Sequence, residues 1–316
     1  MNFFTDIFRL MGTPELWHAS LQYAALLLLP ALGGVISERS GVVNIAMEGM
    51  MLTGAFFAVA ADLAFHSVWI AVLVSMVAGG LMALVHAVVS IRYRADQIVS
   101  GVAINIFAAG ITVFLINRLY GLADVGQVPS ENALPNWNVP LLGQIPFIGR
   151  VFFQQNIMVY VALLVLVGTQ VFLFRTRLGL RLRSVGEHPQ AADTAGINVY
   201  ALRYGAVVTS GLLCGLAGAF LAIGIALTFV PNMTNGRGYI ALAAMIFGKW
   251  TPIGAFIATL IFGFGQAIYD ANSSIHVSQY LLSMAPYLLV LIVLAAVVRR
   301  SSPPAADGIP YIPGAE

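Results

Sequence analysis

Long apolar runs separated by short polar breaks recur along the whole chain. Six of them, 19 to 36, 69 to 91, 98 to 117, 157 to 174, 204 to 230 and 280 to 298, hold no Asp, Glu, Lys or Arg. They approach or exceed the ~20 residues a helix needs to cross a ~30 Å hydrocarbon core. Two weaker runs, 42 to 61, which contains Glu48, and 253 to 269, which is short, and a still shorter one from Tyr239 to Gly248 bring the expected total to eight to ten. Lipid offers backbone groups no hydrogen-bond partner, so such segments span only as helices or closed barrels. The pattern predicts an all-α polytopic integral membrane protein with some short or broken helices, folded as one domain over residues 1 to 300.

Composition agrees. Hydrophobic residues make up 59% of the 316 and charged ones only 9%, against roughly 25% charged in a soluble domain. The mean hydropathy is +0.89. The few charges are informative by where they fall. Arg92 and Arg94, then Arg175, Arg177, Arg181, Arg183 and Arg203, then Arg299 and Arg300 gather at three segment ends, and basic loops stay cytoplasmic. The island 175 to 203 and the C-terminus are therefore expected inside. The loop 117 to 156 sets Arg118 and Arg150 against Asp124 and Glu131, carries four prolines and Trp137, and reads as the external face. Nine segments with an inside C-terminus place the N-terminus outside, unless a broken helix alters the count. Phe3, Phe4, Ile7, Phe8, Leu10 and Met11 suit an interfacial helix better than a signal peptide. The stretch 301 to 316 is proline-rich and reads as a disordered cytoplasmic tail.

Polar groups at membrane depth are the candidate chemistry. Asn44 and Glu48 are four residues apart, the spacing of one helix face, and a carboxylate in lipid needs a cavity or a partner. Glu48 either lines a pathway or pairs with Arg39 and locks helices together. Asn105 and Gln266 are lone amides in apolar runs, each a substrate contact or interhelical glue. His86 reads as a satisfied packing group and Cys214 as a small apolar one, with no histidine spacing for a metal site. Gly211, Gly215, Gly218 and Gly224 recur at the spacing of close helix packing.

Pro231 to Tyr239 interrupts the chain ahead of the short apolar run, and interrupted segments often line a cavity. Gly41-Val-Val-Asn-Ile-Ala leading to Gly54-Ala-Phe, and Gly238-Tyr-Ile-Ala-Leu-Ala leading to Gly254-Ala-Phe, hint at two duplicated halves. A phosphate-cradling loop would need glycine where Ala243 stands and Ser or Thr where Trp250 stands. There is no Gly-x-Ser-x-Gly elbow and no His-Glu-x-x-His. An enzyme is not expected.

Four stretches carry a family resemblance: Val35-Ile-Ser-Glu-Arg-Ser-Gly-Val-Val-Asn-Ile-Ala-Met-Glu-Gly-Met-Met51, Arg94-Ala-Asp-Gln-Ile-Val-Ser-Gly101, Val185-Gly-Glu-His-Pro-Gln-Ala-Ala-Asp-Thr-Ala-Gly-Ile-Asn198 and Gly236-Arg-Gly-Tyr-Ile-Ala-Leu-Ala243. Over nearly its whole length the chain resembles permease subunits of bacterial ABC importers, of the ribose-type and branched-chain amino-acid superfamily. The Ser-Glu-Arg-Ser-Gly form is most similar to the nucleoside branch. The resemblance implies a partner ATPase that binds and hydrolyses ATP, so this chain carries no cofactor. It also implies a second permease, a different but related chain, and a periplasmic or lipid-anchored substrate-binding protein, all at the bacterial inner membrane and without nucleic acid. It makes Gly186, Glu187, Pro189, Ala192 and Gly196 a coupling helix that docks on the ATPase. Pro189 and Gly196 bracket a run of helix formers, as a short capped helix should.

The expected function is inward movement of a small polar solute, a nucleoside on the resemblance, by alternating access, through a pathway offering Asn44, Glu48, Asn105 and Gln266. Alternatives are a sugar or branched-chain amino-acid permease, an ion-coupled transporter using Glu48, Asp96 or Asp270, and a membrane scaffold.

Overall fold

A computed structural model describes residues 11–121, 127–271 and 302–314, with Met284, Leu288 and Leu291 between them. The expected interfacial helix before Met11 and the expected span from 280 to 298 lie outside the described residues. The helices are α1 (Pro14–Glu38), α2 (Met47–Phe65), α3 (Val68–Ala87), α4 (Gln97–Tyr120), α5 (Ile157–Arg175), α6 (Arg177–Glu187), α7 (Pro189–Thr194), α8 (Val199–Ala219), α9 (Arg237–Phe247) and α10 (Pro252–Asp270). Both α3 and α8 run on into wider π turns, Val88–Arg92 and Phe220–Ala226. Seven helical stretches among the described residues are long and apolar enough to span a membrane. With the shorter apolar α9, eight of the nine segments read from the sequence are helical among the described residues.

Helix starts follow local chemistry. Asp96 accepts from the amides of Ile98 and Val99, Asn156 from Met158, Thr176 from Gly179, Asn198 from Ala201 and Thr251 from Gly254. Each caps amides that the helix itself leaves unbonded.

The inner helices are α1 and α8, whose apolar windows are 83% buried, whereas that of α4 is 28% buried and faces outward. A glycine crossing holds the centre. A Cβ on Gly79 of α3 would stand 2.4 Å from the Gly211 carbonyl oxygen of α8, and one on Gly215 would stand 2.3 Å from the Ser75 carbonyl oxygen. Only glycine lets these backbones approach so closely. Ser75 donates its hydroxyl to the carbonyls of Gly54 and Gly215, at 2.8 and 2.6 Å, and so ties α2 to the same crossing.

At the end of the bundle where α2 meets the 127–156 segment, the buried Asp62 of α2 accepts from the backbone amides of Glu131 and Asn132 and from the Asn132 side chain. Two small antiparallel ribbons lie there, β1 (Val128–Pro129) with β4 (Thr228–Phe229) and β2 (Asn136–Asn138) with β3 (Gln154–Asn156). At the other end His86 stands 3.0 Å from both the Val43 carbonyl oxygen and the Ser100 hydroxyl. A carbonyl can only accept, so Nε2 carries the proton and Nδ1 accepts from Ser100. His86 is a satisfied packing group.

The tail departs from the sequence expectation. Residues 302–314 do not float free. Ala306 donates to the Gly186 carbonyl at 2.9 Å, Ala305 to the Glu187 carboxylate at 3.2 Å, and Arg203 reaches the Ile309 carbonyl at 3.0 Å. Tyr311 is buried against Val185, Ala192 and Val199 and meets Tyr200 edge-on at 5.5 Å. Proline content alone read this stretch as unable to fold, but prolines also suit an extended strap when a neighbouring apolar pocket receives its one aromatic ring.

Candidate functional site

Helix α9 has 11 residues, which at ~1.5 Å each makes about 16 Å, roughly half the hydrocarbon core. The chain leaves the β1–β4 ribbon at Phe229, turns through Pro231 to Asn235 and starts α9 after Gly236, whose φ is +80°. The free amides of a helix start therefore open inside the bundle.

Glu48 meets them. Its carboxylate accepts from Gly236 at 2.8 Å and from Gly238 at 2.6 Å, the placement an anion favours at a helix N-terminus. A Cβ on Gly238 would sit 2.5 Å from the Glu48 amide nitrogen, so glycine is required for this approach. Asn105 of α4 braces the same junction. Its Oδ1 accepts from the Gly49 amide at 2.7 Å, and its Nδ2 donates to the Ile45 carbonyl at 3.0 Å and to the Tyr239 hydroxyl at 2.9 Å. Tyr239 is 44% exposed and keeps its own hydroxyl proton to donate outward.

The other two candidates lie elsewhere. Asn44 is not on the helix face of Glu48, because α2 begins only at Met47. It sits in the preceding turn, fully buried, and donates to the Ser210 hydroxyl of α8 at 2.8 Å. That is interhelical glue by geometry. Gln266 of α10 stands 3.4 Å from Asp270, beside Tyr23 of α1, with Arg237 close enough to act on the same tyrosine. Arg237 donates to the carbonyls of Met233 and Thr234, while its Nε is buried without a partner. Sequence reasoning missed Arg237 and Tyr239, although both stand in the Gly-Arg-Gly-Tyr run that marks the broken helix.

Glu48 does not pair with Arg39. That arginine donates to the carbonyls of Trp250 and Lys249 and stands 4.0 Å from Glu187. Asp96 spends its carboxylate on the α4 cap.

The expected coupling residues do cluster. Gly186 packs on the Arg39 carbonyl, Pro189 opens α7, and Gly196 ends it with φ +77°. Pro189 and Ala192 nevertheless face inward and are buried. Gln190, Ala191, Asp193 and Thr194 are the exposed α7 residues. The Pro-Ala-Ala-Gly order predicted the helix but not which of its faces the tail would cover.

Comparison with known proteins fits this architecture. Residues 18–297 match the family described as branched-chain amino acid transport system / permease component. The chain belongs to this permease family. It is 46% identical to the guanosine ABC transporter permease protein NupQ of Bacillus subtilis (strain 168), over 94% of this chain and 96% of that one. It is 43% identical to the nucleoside ABC transporter permease protein NupC of Lactococcus lactis subsp. cremoris (strain MG1363), over 92% and 95%. A putative glucose ABC transporter permease protein of Haloferax volcanii, TsgC13, is 33% identical over 91% and 93%. The family's members are transport components, and this permease is a multi-pass membrane protein with seven apolar helices among its described residues.

Proposed function

We propose that this permease forms the membrane pathway of an ATP-driven nucleoside importer in the bacterial inner membrane. The observation that carries this is the 46% and 43% identity to a guanosine and a nucleoside permease over nearly complete chains. The glucose permease is further away at 33%. The partner ATPase binds and hydrolyses the ATP, a substrate-binding protein delivers solute, and a second, related permease completes the pathway.

The junction of Glu48, Asn105 and Tyr239 supports a nucleoside over an ion. A ribose and a base present several donors and acceptors, and a site for them needs a few polar groups on an apolar wall. Tyr239 supplies the open hydroxyl, with Glu48 and Asn105 behind it, while Gln266 and Asp270 line the outer approach. Deleting the gene is expected to remove guanosine and adenosine uptake and to spare glucose and leucine uptake. In vesicles with ATP held constant inside, an uncoupler should leave uptake unchanged. Collapse of uptake under the uncoupler would overturn the ATP-driven reading.

Coupling to the ATPase is assigned to α7, through its exposed Gln190, Ala191, Asp193 and Thr194 in place of the buried Pro189 and Ala192. Ala191→Trp is expected to uncouple ATPase activity from transport in a normally folded complex. Ala192→Trp should instead displace Tyr311 and lower the yield of folded chain. Equal effects of the two on coupling and on folded yield would refute this division.

A further inference from the structure

Between α5, α6 and α8 runs an open groove of about 550 Å³. Its walls include Leu164, Phe172, Leu178, Leu182, Ala201 and Leu213. Among the described residues that line it, only Thr169 and Thr209 carry polar side chains, and Thr209 already donates to its own helix at the Gly205 carbonyl. From Ala201 to Leu213 the groove follows α8 for about 18 Å, a little more than one leaflet of a ~30 Å core.

An apolar outer face is ordinary in a spanning protein. Two features make this one a cleft. Gly168 of α5 and Gly205 of α8 both line it, and a Cβ at either would meet nothing within 4 Å. These glycines serve no close backbone approach, unlike those at the α3–α8 crossing. They hollow the surface.

The second feature is charge. At the cytoplasmic mouth lies α6, where Leu178 and Leu182, four residues apart, face the groove. Arg177 and Arg181, also four apart, form the neighbouring stripe and are exposed. With Arg175, also exposed, they face no acid nearby in sequence, because residues 157 to 186 contain no Asp or Glu. Arg183 is turned away onto the Phe174 ring at 5.0 Å.

We propose that this groove holds the acyl chain of an anionic phospholipid of the cytoplasmic leaflet, with its phosphate on Arg177 and Arg181. An amphipathic helix with arginines on its polar stripe is suited to the headgroup level. Guanidinium groups bind phosphate through paired N–H donors, and juxtamembrane arginines favour anionic lipid.

The test uses the full-length chain purified in mild detergent and exchanged into equal phosphatidylglycerol and phosphatidylcholine. Native mass spectrometry then counts the lipids that remain bound. Phosphatidylglycerol should be retained about tenfold over phosphatidylcholine, and Arg177→Gln with Arg181→Gln should remove that preference. Gly168→Leu with Gly205→Leu should expel the bound lipid without lowering the melting temperature, since leucine fits the space and favours helix. Equal retention of both lipids by the unaltered chain, or full retention by the filled variant, overturns the site. If the arginine variant keeps its lipid but no longer holds the ATPase, the arginines serve docking and the assignment also fails.

Discussion

Ending the chain at Ser301 is expected to reduce coupled uptake at least tenfold while the spanning helices stay inserted. The strap formed by residues 302–314 joins the coupling region to the α1–α2 turn. Removing it deletes the bonds to the Gly186 carbonyl and the Glu187 carboxylate, leaves Arg203 with only the Ser40 carbonyl, at 3.2 Å, and uncovers Val185, Ala192 and Val199. A buried tyrosine ring contributes on the order of 2–3 kcal/mol before ordering costs. Uptake and ATPase activity of the purified complex check this, with Tyr311→Ala as a milder version. Unchanged coupling without the strap would show that it only covers α7.

Acid–base behaviour offers a second readout of the strap. Burial, with the neighbouring Glu38 carboxyl next in weight, pushes Asp307 up from 3.8 to about 8 against the opposing pull of Arg203. A folded pKa raised in this way stabilises the fold fully below about pH 4 and loses that contribution as pH rises towards 8. Stability measured by thermal melting should decline across that window, and Asp307→Asn should make the decline shallower.

The second large effect is expected at the broken helix. Glu48→Ala strips both acceptors from the Gly236 and Gly238 amides, and each buried amide left unpaired costs about 1–3 kcal/mol. The start of α9 should then lose its fixed position, so uptake per folded complex should fall more than tenfold. Glu48→Gln keeps one acceptor oxygen and should fall between. Asn44→Ala, which removes the bond to Ser210 and a long contact to the Met50 sulfur, should lower the amount of folded complex and leave uptake per complex nearly intact. Normal uptake in Glu48→Ala would remove α9 from the pathway.

The spans were legible in the sequence because a membrane leaves so little choice: uncharged runs such as 69 to 91 and 98 to 117 are twice the length of a barrel strand and match a spanning helix. The break before Tyr239 was also visible, through Pro231 and the Gly-Arg-Gly run. The partners of the polar residues were not. Asn44 and Glu48 share a helical spacing, but the chain begins its helix three residues after Asn44, and no local pattern announced that start. Arg203 was counted with the island's other arginines, yet it is buried and holds Ser40 and Ile309. Such a role depends on a segment more than a hundred residues away, which a charge tally cannot see.

The glycine crossing also sets which parts of the permease can move. Where α2, α3 and α8 touch backbone to backbone at Gly54, Gly79, Gly211 and Gly215, there are no long side chains to change rotamer and absorb a sliding motion. That trio should travel as one stiff body. The displacement that opens and shuts the pathway then falls to pieces joined by turns, above all α9, which hangs between the loop at Pro231 and the turn at Lys249 and Trp250, where both residues hold positive φ. Spin labels on α3 and α8 should keep one fixed separation through the ATP cycle, while a label pair between α8 and the Lys249 end of α9, away from the Glu48 clamp, should report two.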